Sequence, residues 1–275
     1  MPNQSVRKVQ EKILEIMKYI DALCRAHDIV YYIMGGTALG AVRHGGFIPW
    51  DDDLDIFMTP AEYEKFKTVF EKENDPKFVL LEWKTTKNYL EYAKVRMNGT
   101  TFLEENYKEQ RDMHHGIYVD IMILHKVPKN RIVQRIVYFK SKFVTLYALS
   151  QRYWKPKTRL QSLVLKSLKL LPCRYLAKRF YKHIYKYDDR TKNFMYCYWI
   201  TPAKFKNGLF DESFFSSPID IPFEDTALLG SSKIKDYLEY RYGDYLKLPS
   251  KEAQKAAVHA VIFDTEKDYR EYIDA

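Results

Sequence analysis

Tyr32-Ile33-Met34-Gly35-Gly36-Thr37-Ala38-Leu39-Gly40-Ala41-Val42-Arg43-His44-Gly45-Gly46-Phe47-Ile48-Pro49-Trp50-Asp51-Asp52-Asp53-Leu54-Asp55-Ile56-Phe57-Met58 is the stretch from which the rest of the chain is read. An apolar run enters a Gly-rich turn, and a cluster of carboxylates feeds a second apolar run. If Asp51 to Met58 is extended, its side chains alternate with period two. Asp51, Asp53, Asp55 and Phe57 then share one face, and Asp52, Leu54, Ile56 and Met58 the other. The second face is apolar enough to be buried. The first gathers three carboxylates at a strand entrance, where they repel one another unless a cation sits among them. That pattern points to a hard divalent metal, Mg²⁺ or Mn²⁺.

Acidic runs are ordinarily solvated loops, but Leu54-Asp55-Ile56-Phe57-Met58 is too apolar for one. An EF-hand calcium loop would use Asp51, Asp53, Asp55 and Glu62 at positions 1, 3, 5 and 12. It fails at position 6, where the loop needs Gly and the chain has β-branched Ile56, and Pro60 is a second misfit. Upstream, Gly35-Gly36-Thr37 follows a short strand (Val30 to Met34) and precedes Ala38 to Arg43, which can form a short helix. Backbone N–H groups at such a turn make an anion site. Followed one strand later by Asp-x-Asp, the turn brings a phosphate cradle and a metal site together.

Gly36-Thr37-Ala38-Leu39-Gly40-Ala41-Val42-Arg43-His44 running into Phe47-Ile48-Pro49-Trp50-Asp51-Asp52-Asp53-Leu54-Asp55 resembles the signature of the LicD family. These are phosphocholine transferases of bacterial surface glycans, related to the fukutin-type ribitol-phosphate transferases. The resemblance implies a nucleotidyltransferase-like core. It also implies transfer of a phospho-alcohol from a CDP-linked donor, CDP-choline being favoured. The acceptor would be a hydroxyl of a glycan or lipid-linked glycan such as teichoic acid, lipopolysaccharide or capsule.

Two later runs extend the site. On a strand from Leu90 to Met97, Lys94 and Arg96 share a face, where they can hold a diphosphate or simply line a solvated edge. A similar Lys-x-Arg stretch in the family favours the diphosphate. In Gly116-Ile117-Tyr118-Val119-Asp120-Ile121, Asp120 interrupts an apolar segment, and a buried unpaired carboxylate is expensive. The resemblance makes Asp120 a third carboxylate facing the Asp-x-Asp pair, either a metal ligand beside Asp51, Asp53 and Asp55 or the base for the acceptor hydroxyl. Asp53, Asp55 and Asp120 are thus the catalytic candidates. Gly35, Gly36 and Thr37 would cradle phosphate, supported by Arg43, Lys94 and Arg96. Trp50, His115 and His259 are candidate substrate contacts.

With 275 residues, 46% hydrophobic and 29% charged, the chain has a globular composition. Cys24, Cys173 and Cys197 lie far apart with no C-x-x-C pair, so neither a disulfide framework nor a zinc site is implied and a reducing cytoplasm is expected. The N-terminus reads as a charged helix rather than a signal peptide. No run approaches ~18 apolar residues, so no membrane span is expected.

Charge is unevenly spread. Lys126 to Lys192 holds nineteen Lys and Arg against Asp188 and Asp189, a net +17; the whole chain carries +9, so the remainder sums to −8. Ile132, Ile136, Phe143 and Tyr147 form one helical stripe, and Leu160, Leu163, Val164, Leu168 and Leu171 another, broken by Pro156 and Pro172. Basic amphipathic helices point to an anionic membrane surface or a polyanionic glycan, or to a solvated helical hairpin. Nucleic acid is not expected, for want of a reading module. The location implied is cytoplasmic, peripheral at the inner face of the membrane.

Other elements follow from periodicity. A helix is expected from Ser5 to Ala26, another from a capping box at Thr59-Pro60-Ala61-Glu62 to Glu73, and a strand from Phe78 to Trp83. Phe210-Asp211 and Ile221 to Phe223 suggest short edge strands. Tyr242-Gly243-Asp244 followed by Leu248-Pro249 resembles a late family element and reads as structural. The expected architecture is α/β: a catalytic core in residues 1–125, a basic helical insertion in 126–192, and 193–275 completing a mixed sheet flanked by helices. Two other functions use the same residues: a nucleotidyltransferase passing NMP to a small acceptor, and a non-catalytic, metal-dependent glycan- or membrane-binding protein.

Overall fold

The computed structural model describes residues 6–82, 92–105, 111, 113–151, 158–170, 173–201, 203–255 and 258–273. Ser5, Trp83, Leu90, Pro156, Leu171 and Pro172, named above, lie outside them. In chain order the first elements are α1 (Val6–Ala26), β1 (Tyr32–Ile33), α2 (Gly35–His44), β2 (Asp55–Met58), α3 (Pro60–Glu73), β3 (Phe78–Leu81), β4 (Ala93–Met97), β5 (Thr101–Glu104) and β6 (Tyr118–Ile123). Then come β7 (His125–Pro128), α4 (Arg131–Ser150), α5 (Arg159–Leu170), α6 (Arg174–Tyr185), β8 (Phe194–Cys197) and β9 (Leu209–Asp211). The chain closes with β10 (Pro218–Phe223), β11 (Thr226–Ser231), α7 (Ile234–Tyr242), α8 (Lys251–Lys255), β12 (Ala260–Asp264) and α9 (Arg270–Ile273).

These elements form two compact units. Met1–Leu81, Ala93–Met122 and Ser213–Ala275 make the first, and Glu82–Tyr92 with Ile123–Glu212 the second. The first unit is α/β, with a five-stranded sheet in the order β1-β2-β6-β4-β3. Two separate antiparallel pairs, β10 with β11 and β12 with β5, complete it. The core of α1 is the apolar stripe its periodicity predicts: Val9, Ile13, Ile16, Met17, Ile20 and Cys24 are buried. Gln10 is buried among them. Its amide donates to the carbonyls of Ile48 (3.0 Å) and Asp51 (2.8 Å), so α1 holds the loop that delivers the acidic run.

Local chemistry explains where the elements begin. Thr59 caps α3 by accepting from the N–H of Glu62, and Pro60 occupies the first helical position. The capping box is only half made, because the Glu62 carboxylate accepts from the N–H of Val30 at 2.8 Å instead. β2 starts at Asp55, not Asp51. The preceding four residues spend their polar groups elsewhere: Asp51 N–H donates to Ile48, and the Asp52 carboxylate takes N–H groups from the last third of the chain. The alternation survives, with Asp51, Asp53 and Asp55 half-buried while Asp52, Leu54 and Ile56 are buried. Phe57 departs from it. It is buried, edge-on to Phe215.

The second unit has its own antiparallel sheet, β7-β8-β9, with His125 opposite Cys197 and Met195 opposite Asp211. Residues 193–212 belong to this second unit. Val127, Val137, Val144, Ile184, Cys197, Trp199, Ile200 and Leu209 form its core. The stripe expected to anchor α4 divides. Tyr147 is buried and Phe143 half-buried, but Ile132 and Ile136 face solvent, because α4 turns the smaller set Val137, Ser141, Val144 and Ala148 inward. On α5, Leu160, Leu163 and Val164 are likewise exposed.

Two predictions follow from the first unit. Gln10→Leu leaves two inward-facing carbonyls without their donor, and urea unfolding should show a loss of about 1–3 kcal/mol. Glu224 accepts from Arg7 (2.8 Å) and from the N–H of Phe47 (3.0 Å), and the Arg7 hydrogen bond holds its carboxyl below the ordinary Glu value. A depressed folded-state value stabilises above the unfolded value and is lost as pH falls through it. Stability should therefore decline on acidification below about pH 4.3, and Glu224→Gln should flatten that part of the curve.

Candidate active site

Three adjacent strands and one helix terminus carry the site. Gly35 opens α2 with φ of 55°, a left-handed conformation that a side chain would strain. Its N–H donates to the Tyr237 hydroxyl on α7 at 3.1 Å. At Gly36, a Cβ would lie 2.7 Å from Asp51 Oδ2, so only Gly lets that carboxylate approach the helix start; the nearest site carboxylate at Gly35 is Asp55 Oδ2, 3.5 Å from its Cβ position. Negative charge is favoured at that end of a helix. Thr37 Oγ1 accepts from the Asp55 N–H at 2.9 Å, locking α2 to the first residue of β2.

Asp120 on β6 lies next to β2, its N–H donating to the carbonyl of Leu54 at 2.9 Å. Directly opposite on β4 is Lys94, whose Nζ is 2.8 Å from Asp120 Oδ1 and 3.3 Å from the Tyr118 ring centroid. Arg96, two residues along, is fully buried; it donates to the carbonyl of Gly116 at 2.7 Å and lies 3.9 Å from Glu104. Asp52 closes the other side. Its carboxylate accepts from the N–H groups of His259 (2.8 Å) and Ala260 (3.0 Å) and lies 2.9 Å from His259 Nδ1.

Electrostatics follow from this crowding. Burial, and then the neighbouring Asp53, pushes Asp51 up to about 8. Burial followed by repulsion from Asp53 and Asp120 drives Asp55 well above the carboxylate range. Asp53 is raised by burial against the opposing pull of His259. Burial lifts Asp120 to about 6 although Lys94 opposes it. His259 rises to about 9, chiefly through its hydrogen bond to Asp52. Asp51 to Asp53, Asp55, Glu104 and Asp120 thus face Lys94, Arg96 and His259, an excess of hard oxygen donors. Among the described residues no three of these side chains already converge as a metal cage. The donor type nonetheless suits a divalent cation.

Residues 28–161 match the family profile described as LicD/FKTN/FKRP, nucleotidyltransferase domain. The chain belongs to the LicD family. It is 25% identical to the lipopolysaccharide cholinephosphotransferase LicD of Haemophilus influenzae over 258 residues, 93% of this chain and 96% of that protein. Ribitol 5-phosphate transferase FKRP of Homo sapiens is 43% identical over 42 residues, 15% of this chain and 8% of that protein. The uncharacterized protein RP689 of Rickettsia prowazekii is 52% identical over 44 residues, 16% of each chain.

In this LicD-family chain, the expected residues divide by position. Asp51, Asp53, Asp55, Asp120 and Lys94 come together electrostatically beside the Gly35-Gly36-Thr37 turn. Arg43 donates to the carbonyl of Tyr245 at 3.1 Å, and Trp50 stands edge-on to His44. His115 is 1% exposed, with its ring against Tyr269. Arg96 is likewise sealed in the sheet. Four contributors escaped sequence reading: Gln10, Asp52, Glu104 and Tyr237. Only Asp52 carried a signal, as a carboxylate on the face assigned to the core.

Gly36→Ala should keep the fold but displace Asp51. We expect unchanged far-UV circular dichroism and an activity loss of about tenfold or more, since small misplacements at a reacting centre are costly. Full activity in that variant would mean that the approach of Asp51 to α2 is incidental.

Proposed function

We propose that this LicD-family chain is a metal-dependent transferase that moves a phospho-alcohol from a CDP-linked donor to a glycan hydroxyl. Phosphocholine from CDP-choline is the first candidate. The observation that carries the reading is the electrostatically linked cluster Asp51, Asp53, Asp55 and Asp120, of which Asp51 and Asp55 lie beside the start of α2. Similarity to a lipopolysaccharide cholinephosphotransferase along nearly the whole of both chains supports the substrate class. The α/β core is consistent with the nucleotidyltransferase label of the family profile.

Asp53 and Asp55 would hold Mg²⁺ or Mn²⁺, with Asp51 assisting. Held there, the ion would supply positive charge to the donor diphosphate. The N–H groups of the Gly36-Thr37 turn face the same end of α2 and would bind a phosphate oxygen. Asp120, its charge offset by Lys94, serves better as the proton acceptor for the attacking hydroxyl than as a source of charge for the metal. Lys94 then keeps Asp120 ionised near neutral pH. His259, held by Asp52, fixes the last third of the chain over the acidic run.

Asp53→Asn and Asp55→Asn should each lower turnover by about 10²–10³-fold, the usual scale of a lost electrostatic contributor. Because each removes a repelled carboxylate, the melting temperature of the metal-free protein should stay equal or rise. The direct assay incubates the protein with Mg²⁺, CDP-choline labelled in the choline, and a lipopolysaccharide or teichoic acid acceptor. CMP release with label on the glycan is the expected result. Nucleotide attached to the acceptor would instead identify a nucleotidyltransferase, and absence of turnover with CDP-choline, CDP-ribitol and nucleoside triphosphates would sink the transferase reading.

A further inference from the structure

The second unit presents an outward surface that its own packing leaves unexplained. From Ile121 to Tyr187 the chain contains no Asp or Glu. Within that stretch α4 carries Ile132, Ile136 and Phe139 on one side, exposed at 71%, 45% and 69%. α5, which packs on α4, adds Leu160, Leu163 and Val164 at 71%, 63% and 38%, spaced to form a single helical stripe, and none of its described side chains is buried. Large apolar side chains spaced in this way on neighbouring helices are not the scattered exposure of an ordinary surface.

Cations border the stripes. Arg131 and Arg135 lie on the solvent side of α4, Arg159, Lys166 and Lys169 on α5, and Arg174, Lys178, Arg179 and Lys182 on α6, and all are exposed. Among the described residues none of these forms an ion pair, since the acids near in sequence, Asp188 and Asp189, follow α6 and Asp188 is taken by His125. Lys140 lies over the Phe180 ring at 5.5 Å, and burial with repulsion from Arg179 and Lys186 lowers its proton affinity. Lys142 is different. Its Nζ donates to the carbonyls of Trp199, Thr201 and Ala203, so it is an internal strut and no part of the surface.

We propose that the α4–α5–α6 face docks on an anionic lipid bilayer. The apolar stripes enter the boundary between headgroups and acyl chains, and the unpaired cations meet the phosphates. Charge complementarity selects the occupant. A second copy would bring the same positive charge to the same face, and a soluble polyanion would leave Phe139, Leu160 and Leu163 in water. A bilayer satisfies both halves of the surface. No helix among the described residues is long and apolar enough to cross a membrane, so attachment at this face is peripheral. This inference does not depend on the transferase reading.

Co-sedimentation of the full chain with vesicles tests it. Phosphatidylcholine vesicles containing 30% phosphatidylglycerol, as a chosen probe at roughly a third anionic lipid, should bind, and pure phosphatidylcholine should not. Raising salt from about 0.1 M to 1 M shrinks the Debye length from about 10 to 3 Å and should release most of the protein. R131Q/R135Q/K178Q/R179Q should weaken partitioning by at least about tenfold, and F139S/L160S/L163S should do so without changing the salt response. Should the serine variant fail to fold, F139W gives a second readout: its emission shifts to the blue on acidic vesicles if the residue enters lipid. Equal binding to both vesicle types, binding to dextran sulfate but not to vesicles, or dimerisation abolished by F139S without vesicle binding would each overturn the proposal.

Discussion

Carboxylates that must share a small, poorly hydrated volume govern the first unit. Two like charges about 4 Å apart repel by roughly 4 kcal/mol at the effective dielectric of a protein surface, and desolvation adds to that. Asp51, Asp53, Asp55 and Asp120 are held together all the same. The burden is spread over many groups: Lys94 pairs with Asp120, His259 approaches Asp52 and Asp53, and the start of α2 takes Asp51 and Asp55. What remains is a set of carboxylates whose burial and mutual repulsion raise their proton affinity.

The surrounding fold can be understood as the frame for that crowding. Gln10 fixes the loop before the acidic run, Thr37 ties α2 to β2, and Asp52 uses its carboxylate as a backbone clamp rather than as a ligand. Three of these contacts join residues more than thirty positions apart or link separate elements. They make the positions of the carboxylates a property of the whole unit, so that a change on α1 reaches the site without touching it. Tyr237 extends the same logic, since a residue far along the chain holds the N–H of Gly35.

The second unit solves the opposite problem. It has no acids between Ile121 and Tyr187, so the cations of its three helices have no acid on their own elements, while Lys129 ahead of α4 pairs with Glu212 at 3.1 Å. Its interior is aromatic and aliphatic, with Trp199 stacked on Phe205 and edge-on to Tyr138. Large apolar residues that could have joined that interior remain outside. One chain thus carries a unit that crowds carboxylates together and a unit whose helices are basic.

Sequence alone was enough for the features that depend on nearest neighbours. The Gly35-Gly36-Thr37 turn, the alternation of Asp51, Asp53 and Asp55 against Asp52, Leu54 and Ile56, the apolar stripe of α1 and the Thr59 cap are all set by spacing along the chain. The family was legible for the same reason, because its signature is one contiguous run. Tertiary structure decided whatever depends on partners distant in sequence. Spacing could not say that Asp52 would accept from His259 and Ala260, that Lys94 would neutralise Asp120 across a strand pair, that His115 and Arg96 would be sealed in the core, or that Arg43 would be engaged by Tyr245. Nor could periodicity orient α4: a helix with apolar residues on two sides can bury either, and the side facing the β7-β8-β9 sheet was chosen by the smaller residues that fit against it. Hydrogen bonds and burial are decided by what the fold brings alongside, and that is information the linear order does not hold.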